Sequence, residues 1–476
     1  MVMICRHLKA FLERPDVRRA AATFVSITWL SLAPGVAPVH ATGVVEAGAK
    51  TRGGLVAGTR IIHVTSLASD GAGSLRAAIA RQGPRVIVFD VAGVIELDTD
   101  LRISSAQVTV AGQSAPAPGI FLRGAKLLVA AHDVVVQHIS AFPVSTSSLG
   151  AKGSVDAIGV ATCSTCERQV SDVRLENITA GWSTDEIIGL WGDGLSRITI
   201  RNSILAEALD RAGHRKVHHS MGLLIGGKVE AVEVVGNLFA SNKWRNPVVG
   251  AGASAYIANN FVHNPGKAAL HVYGDRSDQL TRASFIGNVV KRGPSTEPRE
   301  MVAVRLPNAF KQPSRGASVF AKDNHCCSGT ADAGTSMSGS TSSLADTPPV
   351  VSGSWKVLAA DLVWSWVSHH AGSRPRERSA FDTRVVSYVA AGGGRIIDSA
   401  AEVGGYPNIT DRSARALVPP DPLAPAGLGL RAGTRLEAWL CLRHLEIGGP
   451  RTPECPDDEA TLRSALPNAR RAEFNP

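Results

Sequence analysis

The chain has 476 residues, 44% of them hydrophobic, 5% aromatic and 47 of them glycine, with a formal net charge of +9. This length and hydrophobic content exclude a wholly disordered chain and allow one to three domains with a large core. Many glycines and few aromatic residues favour a turn-rich β architecture. The positive charge suits an anionic polymer as partner, although charge by itself identifies none.

The first 41 residues have the three parts of an export signal. A basic segment, RHLKAFLERPDVRR, precedes the apolar run AAATFVSITWLSLAPGVA, and VHA ends at Ala41 as a small-residue cleavage site. An ordinary N-terminal helix or a membrane anchor is the alternative, but Pro34 and Pro38 interrupt the apolar run. We therefore predict a cleaved signal over 1–41 and a secreted or periplasmic protein.

Seven cysteines are present, and six remain after removal of the signal. An even number in an oxidising compartment permits disulfides. Cys441 and Cys455 flank a short segment and form the pair that we predict.

Residues 60–140 contain short β segments such as RIIHVTS, RVIVFDVAGVIEL and DVVVQHI. One segment, SLRAAIARQ, has helical character, with Ser74 as the N-cap and Gly83 closing the helix.

A repeat follows, in which a short apolar strand, a turn containing asparagine and another short strand recur. The asparagines are Asn177, Asn202, Asn237, Asn260 and Asn288. Asparagine tolerates left-handed backbone geometry at a tight bend, and stacked asparagines can hydrogen-bond as a ladder. The pattern is typical of a parallel β-helix with loops of different length. An antiparallel β-sandwich is the competing fold, but it would not readily place asparagine at one position in five successive units.

Beyond residue 325 the pattern changes. We predict a β-helix domain over 42–325, a flexible Ser/Thr/Gly-rich linker over 326–354, and a C-terminal tail over 355–476 that packs on the β-helix. VLAADLVWSWVSHHAG and FDTRVVSYVAAGGG are predicted helices in this tail. Residues after about 410 are rich in proline and are predicted to be partly irregular.

Several segments, taken in order, resemble bacterial pectate lyases of the polysaccharide lyase family 1 type. They include GAGSLRAAIARQGPRVIVFDVAGVIEL, VDAIGV, GWSTDE, HSMGLLIGG, NLFASNKWRNP, YIANNFVHN and RSAFDTRVVSYVAAGGGRIIDSAAEVGGYP. The resemblance covers roughly residues 60–410 without the linker. It implies an all-β fold, a right-handed parallel β-helix with a short helical tail. It also implies calcium-dependent cleavage of polygalacturonate, or of a related uronate polymer, by β-elimination.

The resemblance assigns calcium to Asp156 in VDAIGV and to Asp185 in GWSTDE, with Glu186 beside it. Carboxylate oxygens suit a hard cation. Because adjacent residues of a strand point to opposite faces, only one of Asp185 and Glu186 is expected to be a direct ligand, and we favour Asp185. Exposed acids without a metal are the alternative interpretation.

The catalytic base of the family is an arginine, which aligns with Arg245 in KWRNP. Guanidinium is normally always protonated, so this role needs burial and neighbouring positive charge. The alternative is a surface arginine before a turn at Pro247. Lys243 lies two residues earlier and is expected on the same face.

A basic loop, HRKVHHSMG, lies in the longest interval between repeats. Lys216 and His219 are the predicted substrate-binding residues of this loop, together with Lys243 outside it. The alternative is a solvated charged surface, especially for residues other than His219.

The chain departs from the family pattern at Glu176 and Asn177, where Asp-His is frequent, at Ser220 in place of a lysine, and at Gly250 in place of a second arginine. A non-catalytic exported β-helix that binds polysaccharide is therefore a second hypothesis, since fold does not fix function. A glycoside hydrolase is a third, but Arg245 beside an acid cluster suits elimination better. We expect a monomer that binds an acidic polysaccharide and no nucleic acid.

Overall fold

The computed structural model describes residues 43–143, 153–162, 169–273, 279–297, 302–307, 316–327, 337–406, 408–413, 417–427 and 429–466. The predicted export signal, 1–41, lies outside these residues. No helix in the described part of the chain is long and apolar enough to cross a membrane.

Three parallel sheets form the body of the molecule. Sheet 1 contains β2 (Arg60–Val64), β3 (Arg85–Phe89), β6 (Val108–Ala111), β9 (Val134–Gln137), β12 (Val170–Glu176), β15 (Leu195–Arg201), β18 (Glu230–Val235), β21 (Ser254–Ala258), β24 (Thr281–Ile286) and β27 (Ala317–Lys322). Sheet 2 contains β4 (Val91–Glu96), β7 (Ile120–Arg123), β10 (Ile139–Phe142), β13 (Thr179–Gly181), β16 (Ile204–Ala206), β19 (Leu238–Ala240), β22 (Phe261–His263), β25 (Val289–Lys291) and β28 (His325–Cys327). An antiparallel strand, β31 (Arg412–Ser413), joins its β4 edge.

Sheet 3 contains β5 (Leu101–Ile103), β8 (Leu127–Val129), β11 (Ile158–Ala161), β14 (Glu186–Trp191), β17 (Met221–Ile225), β20 (Val248–Val249), β23 (Leu270–Val272), β26 (Val304–Arg305) and β29 (Met337–Ser338). The chain visits the three sheets in turn, and each strand pairs in parallel with its counterparts one coil away. The predicted parallel β-helix is thus confirmed, and the parallel pairing excludes the antiparallel sandwich.

The interior is a stack of aliphatic side chains that repeats once per coil. Leu175, Ile200, Val234 and Ile257 lie in register on neighbouring strands of sheet 1 and are fully buried. Burial of one such side chain stabilises the fold by roughly 1.5–3 kcal/mol. One coil alone cannot bury its apolar face, so the stacking itself creates the core.

The turn from sheet 1 to sheet 2 uses two adjacent positions with different requirements. The first has a left-handed backbone and is filled by Asn177 (φ 52), Asn202 (φ 50), Gly236 (φ 67), Asn259 (φ 51), Gly287 (φ 63) and Asp323 (φ 54). Glycine and asparagine both tolerate this geometry, so either one serves. The prediction that all five repeat asparagines occupy this position was therefore wrong for Asn237, Asn260 and Asn288.

Those three asparagines lie one residue later and form the predicted ladder, with Asn324 as a fourth member. The Nδ2 atom of each donates to the Oδ1 atom of the next, over 2.9 Å from Asn237 to Asn260, 3.0 Å from Asn260 to Asn288 and 2.8 Å from Asn288 to Asn324. Each Nδ2 also donates to a backbone carbonyl in the neighbouring coil. A buried side chain with one donor group and one acceptor is needed here, which glycine cannot supply.

The asparagines at the left-handed position point outward instead and hold the C-terminal segment. Asn177 donates to the carbonyl oxygens of His370 (2.7 Å) and Gly372 (3.1 Å). Asn259 accepts from the indole nitrogen of Trp355 at 2.9 Å and donates to Leu358 O at 2.9 Å. One turn thus binds the core on its inner side and the tail on its outer side.

The described helices are α1 (Leu75–Ile79), α2 (Ala360–His370), α3 (Ala380–Ala390), α4 (Arg435–Glu446) and α5 (Glu459–Ala465). Short 3-10 helices cover Gly112–Ser114, Thr341–Ser343 and Ala400–Val403. Ser74 caps α1 as predicted, accepting from Ala77 N, but the helix ends at Ile79 with Ala80 as its C-cap, before Gly83.

Helices α2 and α3 agree with the predicted segments and pack on sheet 2. Val363, Val367, Phe381 and Val385 form a buried cluster there with sheet residues such as Phe121. Helices α4 and α5 were missed because prolines and glycines surround them. A capping box at α4, in which Thr434 and Glu437 bond each other's backbone, was the available signal.

The β-helix continues past residue 325, where the sequence placed its end. Strands β28 and β29 extend sheets 2 and 3, and β30 (Val350–Ser352) pairs in parallel with β1 (Val45–Ala47). Asn324 adds one further step to the ladder, which is why another coil fits here. The boundary at 325 was too early, and the described part of the predicted linker 326–354 contains these strands.

The segment around α4 is attached to sheet 1 by a disulfide and by buried charges. Cys441 and Cys455 are joined as predicted. Arg201 on β15 contacts Glu176 at 2.7 Å and Glu454 at 2.6 Å, and Arg174 contacts Glu454 at 2.8 Å. Burial opposes ionisation of Glu176, but the two arginines and His444 outweigh it and hold its pKa well below the usual range. The same arginines lower the pKa of Glu454 to about 2 against the cost of burial.

The ladder predicts that Asn260→Ala destabilises the fold by about 3 kcal/mol, since it leaves the buried N–H of Asn237 without its acceptor and removes the side-chain bonds to Asn237 Nδ2 and Asn288 Oδ1. Urea unfolding followed by circular dichroism measures the change. Asn408 is exposed, and Asn408→Ala is the control, with an expected effect within about 0.5 kcal/mol. Equal stability of the two variants would contradict the ladder's role.

The lowered pKa of Glu454 predicts a pH-dependent attachment of the C-terminal segment. The ion pairs contribute their full stability above about pH 4.5 and lose it as the pH falls towards 2, because the native carboxylate resists protonation. We expect Glu454→Gln to be less stable than the unmodified protein at pH 6, with the difference shrinking by pH 3. Thermal unfolding at both pH values checks this. Glu230→Gln, at an exposed site, is the control, and its stability relative to the unmodified protein should be the same at pH 6 and at pH 3.

Candidate active site

A cluster of charged side chains lies where the strands of sheet 3 begin. Asp156 precedes β11, Asp185 and Glu186 stand at the start of β14, and Arg245 precedes β20. Neighbouring strands of a sheet are about 4.8 Å apart, so residues at the same strand end on successive coils come together although they are distant in sequence.

The three predicted metal-binding carboxylates do meet in this cluster. Asp156, Asp185 and Glu186 each present a carboxylate oxygen, and these atoms lie within 4.8 Å of one another. The backbone N–H of Glu186 donates to Asp156 Oδ1 at 3.2 Å. The expectation that Asp185 and Glu186 face opposite sides was wrong, because β14 begins at Glu186 and Asp185 still belongs to the preceding bend.

Two glycines in register leave room in front of the sheet for Asp156. Gly159 on β11 pairs with Gly189 on β14. A Cβ atom at Gly189 would lie 3.0 Å from Asp156 Oδ2, whereas one at Gly159 would lie 3.9 Å from the same oxygen. The side chain of Asp156 thus occupies space that a larger residue at position 189 would reduce.

Asp156 is the carboxyl group whose ionisation the cluster opposes. Burial, together with the charges of Asp185 and Asp100, raises the pKa of Asp156 to about 7, against the opposite effect of Lys126 and His219. Lys126 Nζ is 3.9 Å from Asp156 Oδ2. The positive charge around this carboxyl is therefore too weak to compensate for its neighbours and its partial burial.

Asp185 is held by two histidines of the basic loop. His219 Nε2 lies 2.5 Å from Asp185 Oδ1, and His214 Nε2 lies 3.7 Å from Asp185 Oδ2. Burial opposes ionisation of Asp185, but the hydrogen bond from His219 and the charges of His219, His214 and Arg245 outweigh it and lower its pKa.

Asp185, His214 and His219 also form a second group with metal-ligand spacing. The two imidazole rings, however, are stacked, with centroids 3.8 Å apart and planes 15° apart. Ring nitrogens bind a metal in the plane of the ring, and two nearly parallel planes at this separation do not converge on one ion. The all-oxygen group is therefore the better candidate for a metal site, and its ligands are of the hard oxygen type.

Arg245 lies across the carboxylates and contacts Glu186 through Nη1. Its backbone is left-handed (φ 60), which directs the side chain at this bend. Burial lowers the pKa of Arg245, while Tyr273, Asp185 and Asp156 act in the opposite direction. A partly buried guanidinium thus lies beside a carboxylate group at the position where the resemblance implied a base.

The three predicted substrate-binding residues have different surroundings. His219 is 1% exposed and its ring contacts Asp185, so it orients a carboxylate and does not present a surface to a polymer. Lys243 Nζ binds the carboxylate of Asp210 at 2.8 Å, so its charge is already paired. Lys216 is exposed on the loop, where its backbone N–H donates to His214 Nδ1 at 3.1 Å.

Sequence reasoning missed Lys126, Trp244 and Tyr273 and gave His214 only a minor role. Tyr273 accepts a hydrogen bond from Trp244 Nε1 at 3.2 Å and interacts with Arg245. Lys126 directly precedes β8, a position equivalent to the start of the other strands of sheet 3. Aligning the coils by strand start rather than by asparagine would have revealed it.

Each of the four departures from the family pattern fits its local surroundings in the structure. Glu176 and Asn177 belong to the buried ion pairs and to the tail attachment described above. Ser220 is buried with a left-handed backbone (φ 58). A Cβ atom at Gly250 would lie 2.8 Å from Ile225 O, so no larger side chain fits there without a shift.

Two comparisons of sequence bear on this geometry. The chain is 30% identical over 362 residues to a probable pectate lyase C of Aspergillus flavus, covering 72% of this chain and 76% of that protein. It is 36% identical over 239 residues to a probable pectate lyase C of Aspergillus terreus, covering 50% and 51%. No family model matches the chain.

Solved structures align at low identity. A mutant of Bacillus subtilis pectate lyase aligns with a TM-score of 0.47 and 12% identity, covering 71% of this chain and 96% of that one. The cedar pollen allergen jun a 1 aligns with a TM-score of 0.45 and 16% identity, covering 68% and 91%.

Proposed function

The chain belongs to the pectate lyase family, and we propose that it cleaves polygalacturonate, or a related uronate polymer, by calcium-assisted β-elimination. The observation that carries this proposal is the meeting of three carboxylates with a partly buried arginine on one face of the β-helix. Elimination needs a base and a means of neutralising the uronate carboxylate, and this cluster offers groups for both tasks.

The donor set supports calcium at Asp156, Asp185 and Glu186. Calcium takes oxygen ligands at 2.3–2.6 Å, so ligand oxygens up to about 5 Å apart belong to one coordination shell. The mutual separation of 4.8 Å or less fits that requirement. Bound there, calcium would supply positive charge to the three protein carboxylates and to a uronate carboxylate. The raised pKa of Asp156 indicates a carboxyl group whose charge is under-compensated by the protein itself.

Arg245 is the proposed base for the C5 proton, which lies α to the uronate carboxylate. Burial already lowers its pKa, and Asp185 and Asp156 are charges that favour its protonated form. Neutralising those carboxylates would lower the pKa of Arg245 further. Contact with Glu186 holds the guanidinium over the cluster, and His219 fixes Asp185.

We propose export for the same protein, on the basis of the signal-like residues 1–41 and the disulfide between Cys441 and Cys455. An acidic polysaccharide outside the cytoplasm suits a chain that stays basic after residues 1–41 are removed. Lys216 remains the proposed substrate contact of the exposed loop, and a monomer remains our expectation.

We expect Arg245→Lys to lower kcat on polygalacturonate by roughly 10²–10⁴-fold, the usual contribution of a positioned base. Calcium affinity should change little, because lysine keeps the positive charge beside Glu186. Absorbance of the unsaturated product in the ultraviolet, with calcium and with chelator, measures the rate. Asp185→Asn should instead weaken calcium binding, measured by calorimetry.

Absence of product from any uronate polymer, with a folded protein that binds oligogalacturonate, would favour the non-catalytic hypothesis. Calcium affinity unchanged in Asp185→Asn would overturn the metal assignment alone.

The paired glycines allow a finer test of the metal site. Gly189→Ala places a methyl group 3.0 Å from Asp156 Oδ2 and should weaken calcium binding by several-fold, up to about tenfold or 1.4 kcal/mol. Gly159→Ala is the matched control, since its methyl group lies 3.9 Å from the same oxygen, and its calcium affinity should stay near that of the unmodified protein. Equal effects in a calorimetric titration would show that Asp156 is not a ligand.

A further inference from the structure

A group of aromatic side chains and one arginine continues the face of sheet 3 beyond Arg245. Trp244 donates from Nε1 to the hydroxyl oxygen of Tyr273 at 3.2 Å. The ring of His271 meets the ring of Trp244 edge-on at 5.3 Å and that of Tyr273 at 5.2 Å. The guanidinium carbon of Arg305 lies 5.6 Å from the centre of the Trp244 ring.

Arg305 is two strands away from Arg245 along the helix axis. It lies on β26, in register with His271 on β23, which in turn pairs with Val248 on β20. Strands are about 4.8 Å apart, so Arg305 is displaced by roughly 10 Å along the axis from the level of β20. It therefore contacts a different part of any polymer that extends along this face.

The charge of Arg305 is accessible and uncompensated within the described part of the chain. Its side chain is exposed, and no described carboxylate pairs with it. Tyr273 is 38% exposed and Trp244 is half-buried, so aromatic surface lies beside the charge.

His271 separates the two arginines and stays neutral. It is 1% exposed, its Nδ1 lies 3.3 Å from Ala269 O, and its Nε2 has no hydrogen-bond partner among the described groups. Burial, together with Arg245 and Arg305, lowers the pKa of His271 to about 3. The face therefore presents the exposed charge of Arg305 beside an aromatic surface, at a distance from the partly buried Arg245 that pairs with Glu186.

This arrangement matches the chemistry of a uronate residue. A sugar ring has an apolar C–H surface that packs on aromatic side chains, and ligand sites combine such surfaces with a few polar groups. An exposed carboxylate accepts two parallel hydrogen bonds from a guanidinium, a geometry that lysine cannot reproduce.

We propose that Arg305, with Trp244 and Tyr273, forms a second uronate-binding position, which holds a sugar residue of the polymer other than the one at Arg245. The proposal rests on the proposed function for the identity of the polymer. In this proposal Arg305 binds the carboxylate of the uronate residue, and the side chains of Trp244 and Tyr273 pack on its sugar ring.

The test measures binding of oligogalacturonates in the presence of calcium by calorimetry. The variants Arg305→Gln and Arg305→Lys are made together with Arg245→Ala, which prevents consumption of the sugar. We expect Arg305→Gln to weaken binding of the unesterified oligomer by about tenfold, the scale of one charge-assisted contact. The affinity of Arg305→Lys for the unesterified oligomer should lie between those of the Arg245→Ala parent and of Arg305→Gln. Binding of the fully methyl-esterified oligomer should change little in either variant.

Arg282 provides a matched control, because β24 belongs to the same coil as β26, the strand of Arg305, but lies in sheet 1. Arg282→Gln removes the same charge and should bind both oligomers as the Arg245→Ala parent does. Equal loss in Arg282→Gln and Arg305→Gln would overturn the proposal, as would equal loss of the esterified and unesterified oligomers.

The outcomes also separate this proposal from the proposed function. If the unmodified protein cleaves polygalacturonate while Arg305→Gln binds as its parent does, the second position is absent and the lyase assignment stands. If the protein binds oligogalacturonate through Arg305 but releases no unsaturated product, the position stands and the lyase assignment fails.

Discussion

The turn between sheets 1 and 2 is the constraint on which the rest of the molecule depends. From β9 onwards each coil bends there at a left-handed residue, and the next residue then points into the interior. An interior polar position is tolerable only if its donors and acceptors are satisfied, which the ladder from Asn237 to Asn324 achieves by pairing each coil with the next. The register of the coils is thereby fixed, because a slipped coil would leave these groups unpaired.

That fixed register also creates the face that carries the candidate active site. Asp156, Asp185 and Arg245 are separated by long loops, yet they meet because each stands at the same end of its strand in sheet 3. The small residues Gly159 and Gly189 on two of these strands leave space for the carboxylate of Asp156. The stacked coils thus hold the negative charges of Asp156 and Asp185 close together, and the positive charges of Lys126 and His219 only partly compensate for them.

The C-terminal residues complete the other two faces. Helices α2 and α3 pack on sheet 2, and α4 packs on sheet 1, where Val86 and Val88 meet Leu436 and Trp439. The left-handed asparagines Asn177 and Asn259 bind this segment from the outside of the same turns. The apolar faces of sheets 1 and 2 are therefore covered, while the polar cluster lies on sheet 3.

Residue types at repeated positions determined much of this protein from the sequence alone. Short apolar strands with asparagine at a recurring bend predicted the parallel β-helix, and the resemblance of the ordered motifs to pectate lyases implied that Asp156, Asp185, Glu186 and Arg245 form one site. These features are local or periodic, so they are readable without coordinates.

Only the tertiary structure decided which partner each side chain has. The sequence could not distinguish the left-handed position from the ladder position, because both accept asparagine and differ by one residue. Nor could it show that His219 binds Asp185, that Lys243 binds Asp210, or that Arg305 lies over Trp244. Those contacts depend on the lengths of the loops between coils, which set the alignment of distant residues and have no periodic signal of their own.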